Sequence, residues 1–405
     1  MKLQSISRRN FVEKGAALAA TSLATGQSAG ATSIDAKPFL TPADEFYDVS
    51  RGKPKPHMLT GDALVQARLT EKTWRLEIAA DPATDPPAFK EAAQVEKPVT
   101  LDFQQLLDLG STKGVKYIKA MQCLNIAEPL GQGLWEGVPL RDVLRLCGRL
   151  HNVRRIYYRG FHNNDPEQIF QSSVSYTQAM ETPPGELPVF LAYRLNGEPI
   201  SLERGGPVRM LVPWAHGFKS IKWLQQISLT NDYRTNDTYA LRNNDPESFL
   251  KTAAYVDSGP EKIERGEVVT VLGQVISGLS GLDRVETWTR KLNPGDSRLA
   301  DDDPQLLNAT WTKAEILPPP DWNSVLPTGV KTNDVLGFDS KSGEPLSWPL
   351  RYGMGTWVAS IRDLKPGKYE IYARSIDRNG FAQPEPRAIR KSGKNMLQVH
   401  QVEVV

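Results

Sequence analysis

Between residues 39 and 255, apolar positions recur at two different spacings. Trp74-Arg-Leu-Glu-Ile78 alternates with period two, and Val208-Arg-Met-Leu-Val212 is a short, mostly apolar run; both predict strands. Phe103–Leu107 and Leu140–Cys147 predict short helices, the second with Leu140, Val143, Leu144 and Cys147 on one face. Strands mixed with short helices predict an α+β domain over 39–255. From about Glu264 the helical spacing gives way to strands separated by turns: Glu267–Gly273, Leu282–Trp288, Thr356–Ile361 and Gly367–Arg374. That pattern predicts an all-β sandwich of immunoglobulin type over 256–405. Asn293–Asp339, polar and rich in Pro, Asp and Asn, reads as a surface loop inserted into it.

The first thirty-one residues stand apart. Ser7-Arg8-Arg9-Asn10-Phe11-Val12 is a twin-arginine pattern, and a small-residue apolar run from Gly15 to Thr25 follows. Ala29-Gly30-Ala31 offers small residues where a signal peptidase reads them, so residues 1–31 are expected to be an export signal cleaved after Ala31. The run is too short for a permanent membrane anchor. The periplasm is the expected destination, and because this route carries folded proteins, the signal hints at a cofactor inserted beforehand. The segment carries +3 (Lys2, Arg8, Arg9 and Lys14 against Glu13), so the net charge of +2 becomes −1 once it is removed. A near-neutral chain lacks the basic footprint of a nucleic-acid binder.

The chain has two cysteines. Cys147 lies on the apolar face of its predicted helix and reads as a small buried hydrophobe. Cys123 follows the strand-like run Val115–Gln122 and precedes a Gly-rich stretch, where a side chain can point into a cleft. Taken alone, Cys123 is open to two readings: a structural thiol, or a ligand or nucleophile. No Cys-x-x-Cys-His occurs, so no covalent c-type haem is expected on this chain, nor is any flavin motif evident. Arg204, Arg209, Lys219 and Lys222, with His216 and a Gly-bearing turn, fall within twenty residues around one strand. That cluster suits a phosphate-bearing polar ring system, or else forms a solvated basic face.

Several segments, in order, resemble the sulfite oxidase family. Gly206-Pro-Val-Arg209, Val212-Pro213 and Gly217-Phe-Lys219-Ser-Ile-Lys222-Trp223 resemble its molybdopterin-binding segment. Met121-Gln-Cys123-x-Asn125 and Trp135–Leu144 resemble its cysteine loop and the helix behind it. Thr41-Pro42, Phe46-Tyr47, Arg51 and Trp74–Ile78 are similar to its N-terminal segment, and Ala373–Pro384 to its dimerisation domain. The resemblance implies that Cys123 is the thiolate ligand of a molybdenum centre, a soft donor suited to a metal already held by pterin sulfur. It implies pterin and phosphate contacts from Arg209 and Lys222, backbone contacts from Gly217, Phe218, Lys219 and Ser220, and a polar contact from His162. Arg51 and Arg390 match substrate-pocket arginines, Arg204 stands where the family has histidine, and a homodimer is implied.

Departures bear on the substrate. The family's sulfite-oxidising members carry an arginine after the Cys-x-x-Asn turn; here the turn is one residue shorter and continues Ile126-Ala127-Glu128. An acid is therefore expected close to the metal, and Glu128→Gln is expected to improve weak sulfite turnover. The tyrosine expected some twenty residues after Lys222 is replaced by Asn243-Asn244-Asp245, with Tyr233 and Tyr239 nearby. The expectation is a molybdopterin-dependent oxygen-atom transferase for a small sulfite-type oxyanion, passing electrons to a separate partner such as a c-type cytochrome. An S-oxide or N-oxide reductase of the same family remains open. So do a non-catalytic exported binding module and a hydrolase using Cys123 with His162 or His216.

Overall fold

The computed structural model describes residues 37–81, 91–234, 238, 245, 247–384 and 395–405. The twin-arginine segment, Tyr239, Asn243, Asn244 and Arg390 lie outside them.

The N-terminal part is built on two five-stranded sheets. In the first, β1 (Arg75–Ala80) lies between β2 (Val99–Asp102) and β9 (Leu224–Thr230), and β5 (Arg155–Gly160) and β6 (Gln171–Ser175) complete the order β2-β1-β9-β5-β6. Only the β1–β9 pairing in this sheet is parallel, aligning Ile78 with Ile227. The period-two alternation of β1 has its expected result: Leu76 and Ile78 are buried while Glu77 faces water. Trp74 ends fully buried, its indole N–H donating to Leu224 O at 2.7 Å.

The second sheet joins β3 (Val115–Met121), β4 (Gly131–Pro139) and β7 (Phe190–Leu195) as antiparallel neighbours. Beside β7 lie Glu198–Pro199 and β8 (Arg209–Leu211). Helix α1 (Phe103–Lys113) runs six residues beyond the expected Phe103–Leu107. Its start is fixed by a capping box: the Asp102 carboxylate accepts from Gln105 N, and the Gln105 side chain accepts from Asp102 N. Helix α2 (Leu140–Leu144) tightens into a 3₁₀ turn over Arg145–Cys147 and stops at Gly148, whose φ of 72° is open to glycine. Both helices enclose one apolar core against the first sheet, with Leu106, Val143, Leu144 and Cys147 meeting Ile156, Leu224 and Ile227.

The C-terminal part is largely β. One sheet runs β10 (Ala253–Ser258), β11 (Val269–Ile276), β13 (Met354–Ile361), then Glu315–Ile316; the other runs Lys262–Ile263, β15 (Gln398–Val404), β14 (Gly367–Asp377), β12 (Leu282–Lys291), then Thr312–Lys313. Their inner faces share a core around Val271, Trp357, Ile371 and Val402. A further cluster runs continuously from the N-terminal part into this one, through Tyr117, Trp135, Leu250, Tyr255 and Met354.

The segment 293–339 supplies more than a surface loop does. It adds Thr312–Lys313 to one sheet and Glu315–Ile316 to the other, then crosses to β3. There Leu336 N donates to Lys116 O at 2.8 Å, and Leu326, Val335 and Phe338 cover Ile118 and Leu134.

Both cysteines are free thiols. Cys147 is fully buried, as its helical spacing predicts, and burial pushes its thiol pKa upward. Cys147→Ser therefore places a hydroxyl in an apolar core and is expected to lower stability by about 1–3 kcal/mol. Urea unfolding, with an unchanged far-UV spectrum as the check on fold, measures it.

Candidate functional site

Three connections meet at one end of the two sheets: the loop from β3 to β4, the turn from β5 to β6, and the link from β8 to β9. With residues 46–56 they enclose a cavity of about 310 Å³. Cys123 lines it because β3 ends at Met121, leaving the thiol on the first turn of irregular chain. The loop is anchored where it begins and ends: Leu130 N donates to Met121 O, and Gly217 N from the facing segment donates to Gln122 O at 2.7 Å.

The basic cluster divides on folding. Arg204, Arg209 and Lys222 line the cavity with Arg51, and no lining residue is a carboxylate. The two arginines are almost wholly buried. Arg209 donates to Arg204 O and Ser220 O at 2.6 and 2.7 Å and lies over the Trp135 ring at 5.1 Å. Arg204 donates to Phe46 O at 2.6 Å and pairs with Glu203. The Nε atoms of both remain buried without an acceptor among the described residues. Burial, then the nearby Arg204 charge, pulls Arg209 down to about 9. Burial, then Arg209, pulls Lys222 down to about 7, even though Asp48 opposes the fall.

Lys222 reaches Asp48 Oδ1 at 3.1 Å, Ser50 Oγ at 2.5 Å and Glu203 O at 2.6 Å, so it ties segment 48–50 to the cavity wall. Burial alone would raise the Asp48 pKa. Hydrogen bonds from Ser50 and Lys55 and the Lys222 charge outweigh it and hold the carboxyl far below its ordinary range. Gly205, at φ +99°, makes the close approach possible: a Cβ there would fall 2.5 Å from Lys222 Cγ.

Gly217, Phe218, Ser220 and His162 also line the cavity, the His162 ring nitrogen lying 3.3 Å from Gly160 O. Arg51 is exposed at the mouth and lies 4.9 Å from the centre of the Phe170 ring. Lys219 goes elsewhere: it is buried, and its ammonium donates to Ser173 O at 2.7 Å, away from the lining. Glu128 also lies outside the cavity. It is exposed, and its charge acts on Asp257. The expectation of an acid beside the thiolate is thereby corrected, since only Ile126 of the Ile126-Ala127-Glu128 run reaches the lining. Tyr233 is exposed and off the lining too. His216 is buried and does not line the cavity, whereas His162 does.

Several lining or supporting residues carried no sequence signal. Tyr47, the single tyrosine of the lining, stood in the N-terminal string only as part of a resemblance. Asn163, Gln168 and Phe170 come together through the β5–β6 turn, with Asn163 Nδ2 donating to Pro54 O and Gln168 Oε1, both at 2.8 Å. Lys119 is fully buried behind the cavity, donating to Ala120 O and Ala215 O. Burial, then Arg209, lowers its pKa to about 7.

This arrangement can hold an anion. Cations withdrawn from water need an opposing charge; Glu203 meets it in part for Arg204, but Arg209 has no carboxylate partner among the described residues and both Nε donors stay open. Among the described residues, no group of three or more His, Cys, Asp or Glu could cage a metal. A metal beside Cys123 must therefore arrive with ligands of its own. A phosphate-bearing, sulfur-ligated molybdenum group fits both conditions: its anionic part suits Arg204 and Arg209, and its metal needs a single thiolate.

Residues 64–238 match the family model described as the oxidoreductase molybdopterin binding domain, a span that holds Cys123, His162, Arg209 and Lys222. Over 289 residues the chain is 29% identical to the mitochondrial sulfite oxidase of Drosophila melanogaster, covering 66% of this chain and 44% of that protein. A stretch of 139 residues is 32% identical to an NAD(P)H nitrate reductase of Betula pendula, covering 32% of this chain and 15% of the reductase. These matches span less than half the length of either relative. The crystal structure of the sulfane dehydrogenase SoxCD from Paracoccus pantotrophus shares the fold, with a TM-score of 0.56 at 18% identity over 93% of this chain and 94% of that one. Residues 64–238 thus form a molybdopterin-binding domain of the oxidoreductase family, in a chain similar to sulfite oxidase over 289 residues.

Proposed function

We propose that this protein is an exported molybdenum-cofactor oxidoreductase that transfers an oxygen atom, with two electrons, to or from a small oxyanion of the sulfite type. The observation that carries the reading is the lining of one cavity by a thiol, Cys123, and four cations with no carboxylate among them. The relatives' names, nitrate reductase, sulfite oxidase and sulfane dehydrogenase, point to the same substrate class: small oxidised or oxidisable nitrogen and sulfur species. When bound, the molybdenum centre supplies two-electron oxygen-atom exchange with water as the oxygen source or sink.

The chain's own residues bind, orient and exclude. Cys123 would supply the sulfur ligand to the metal, Arg204, Arg209 and Lys222 would neutralise the pterin's phosphate, and Gly217, Phe218, Ser220 and His162 would hold the rest of the group. Arg51, at the mouth, draws in and orients an anionic substrate, while Phe46, Phe161, Phe170 and Trp223 keep bulk water away. With no haem or flavin motif on the chain, electrons pass to or from a separate partner, for which a c-type cytochrome is suited. Twin-arginine export to the periplasm, an immunoglobulin-type arrangement of the C-terminal strands and a homodimer through them complete the proposal. Reduction of S-oxides or N-oxides is the second reading. Ile126 favours it, because an apolar side chain lines the cavity where the sulfite-oxidising relatives carry a cation.

The decisive test is molybdenum content of protein purified with its signal from a cofactor-competent host. About one metal per chain is expected; its absence favours a plain binding module. Cys123→Ser should retain pterin yet lose turnover by more than about 100-fold, since a hydroxyl is a harder and poorer donor than a thiolate. Substantial residual activity in that variant would remove Cys123 from the coordination sphere.

Substrate choice has its own test. Ile126→Arg restores a cation to the lining and should raise kcat/KM for sulfite about tenfold or more, whereas Glu128→Gln, outside the cavity, should leave it unchanged. Steady-state oxidation with ferricyanide, alongside S-oxide reduction with a viologen donor, reads both variants.

The lowered Lys222 pKa sets a pH dependence. The ammonium is charged below about 7 and neutral above it, so anion binding at this wall is stronger at pH 6 than at pH 8. Titrating cofactor-free protein with sulfate, whose charge is constant over that interval, should show affinity falling by up to about tenfold. Lys222→Met should flatten the profile. An unchanged profile would assign the titration to another group.

A further inference from the structure

We infer that Gln122 is the positioning residue of the Cys123 thiolate, a role that rests on the reading of Cys123 as the metal's protein ligand. The Gln122 side chain is 1% exposed and does not line the cavity. Its Nε2 donates to Cys123 O at 3.1 Å and to Ile126 O at 2.5 Å, so both amide hydrogens close the turn that carries the thiol. These partners fix the orientation of the amide. Turned by 180°, Oε1 would face two carbonyl oxygens with nothing to donate. In the observed orientation Oε1 is buried without a donor among the described residues. An apolar side chain of the same length would avoid that orphaned acceptor, and what it could not do is hold the turn.

The backbone of the same residue faces the other way. Gln122 O accepts from Gly217 N at 2.7 Å, and a Cβ on Gly217 would stand 3.3 Å from that oxygen. One residue thus fastens the cysteine turn through its side chain and the opposite wall, Gly217–Lys222, through its main chain. Between Gln122 and Leu130 the other hydrogen bond holding the loop among the described residues is a longer one, Gln398 Nε2 to Ala127 O at 3.4 Å. The direction of the Cys123 side chain therefore depends on the Gln122 amide more than on any other side chain. A ligand held by one thiolate needs that sulfur within a few tenths of an ångström of its place.

The test reads the thiol itself. In cofactor-free full-length protein, alkylation of Cys123 by iodoacetamide is followed by mass spectrometry, with the buried Cys147 as internal control. Gln122→Leu and the near-isosteric Gln122→Met should raise the Cys123 rate about fivefold or more while Cys147 stays unreactive, because the turn opens and the fold does not. Gln398→Leu should change the rate less than about twofold. In loaded protein, both Gln122 variants should weaken or shift the thiolate-to-metal charge-transfer band. An unchanged alkylation rate in either folded Gln122 variant overturns the inference, as does an equal rise in Gln398→Leu, which would assign the order of the loop to β15. Rapid Cys147 labelling marks a variant as misfolded, and the other Gln122 variant then decides. Because the alkylation arm uses no metal, it stands or falls separately from the molybdenum measurement that tests the functional reading.

Discussion

Everything at this site follows from the desolvation of cations. Arg204, Arg209, Lys222 and Lys119 lie in one region of the interior, and the described carboxylates nearest them, Asp48 and Glu203, meet only some of that charge. Withdrawing several positive charges from water without full pairing destabilises a protein by several kcal/mol. The protein lowers that penalty in three ways: carbonyl oxygens of Phe46, Glu203, Arg204 and Ser220 cap guanidinium and ammonium hydrogens, the Trp135 ring faces Arg209, and the pKa values of Lys119 and Lys222 fall toward neutrality. What remains is a demand for an anion at the cavity wall.

Meeting that demand at a fixed place requires stiff walls. The cavity lies where two sheets end together, so three of its walls are short connections whose two anchors belong to strands. The β3–β4 loop is pinned at both feet, the β8–β9 link by Gln122 O and by Ser220 Oγ, which accepts from Val212 N. The 46–56 segment is strapped by Lys222 and by the Asn163–Gln168 pair. Flexible connections become a rigid rim because each gives its polar groups to its neighbours.

How much of this was legible in the chain depends on which way a side chain had to face. Period-two alternation revealed β1 and Leu140–Cys147 revealed the buried face of α2, because burial imposes those patterns directly. That Cys123 lines a cavity was legible from its place at a strand end. The length of α1 was not, because its last turn contains Ser111 and Thr112, weak helix formers that lie exposed and donate their hydroxyls back to Asp108 O and Leu109 O. Lys119 was hidden, since a lysine within a strand ordinarily marks the wet face, whereas here the carbonyls of Ala120 and of the distant Ala215 accept it. Glu128 misled for a related reason: five residues from the thiol along the chain, it lies on the far side of the loop and acts on Asp257. Proximity in sequence carries no direction, and only folded contacts supply one.

The segment that follows β12 couples the two halves more firmly than any linker. Trp322 sits between Phe39, Phe338 and Trp348, and the chain around it both extends the C-terminal sheets and shields Ile118 and Leu134 on the cavity-bearing sheet. The back of the strand that delivers Cys123 is thus finished by residues more than two hundred positions away. Recombination between relatives at the apparent seam near residue 256 would leave that strand with an uncovered apolar face. In this architecture the evolutionary unit of exchange is larger than the matched molybdopterin-binding stretch, and a swapped C-terminal half must bring its own well-fitting segment 322–338.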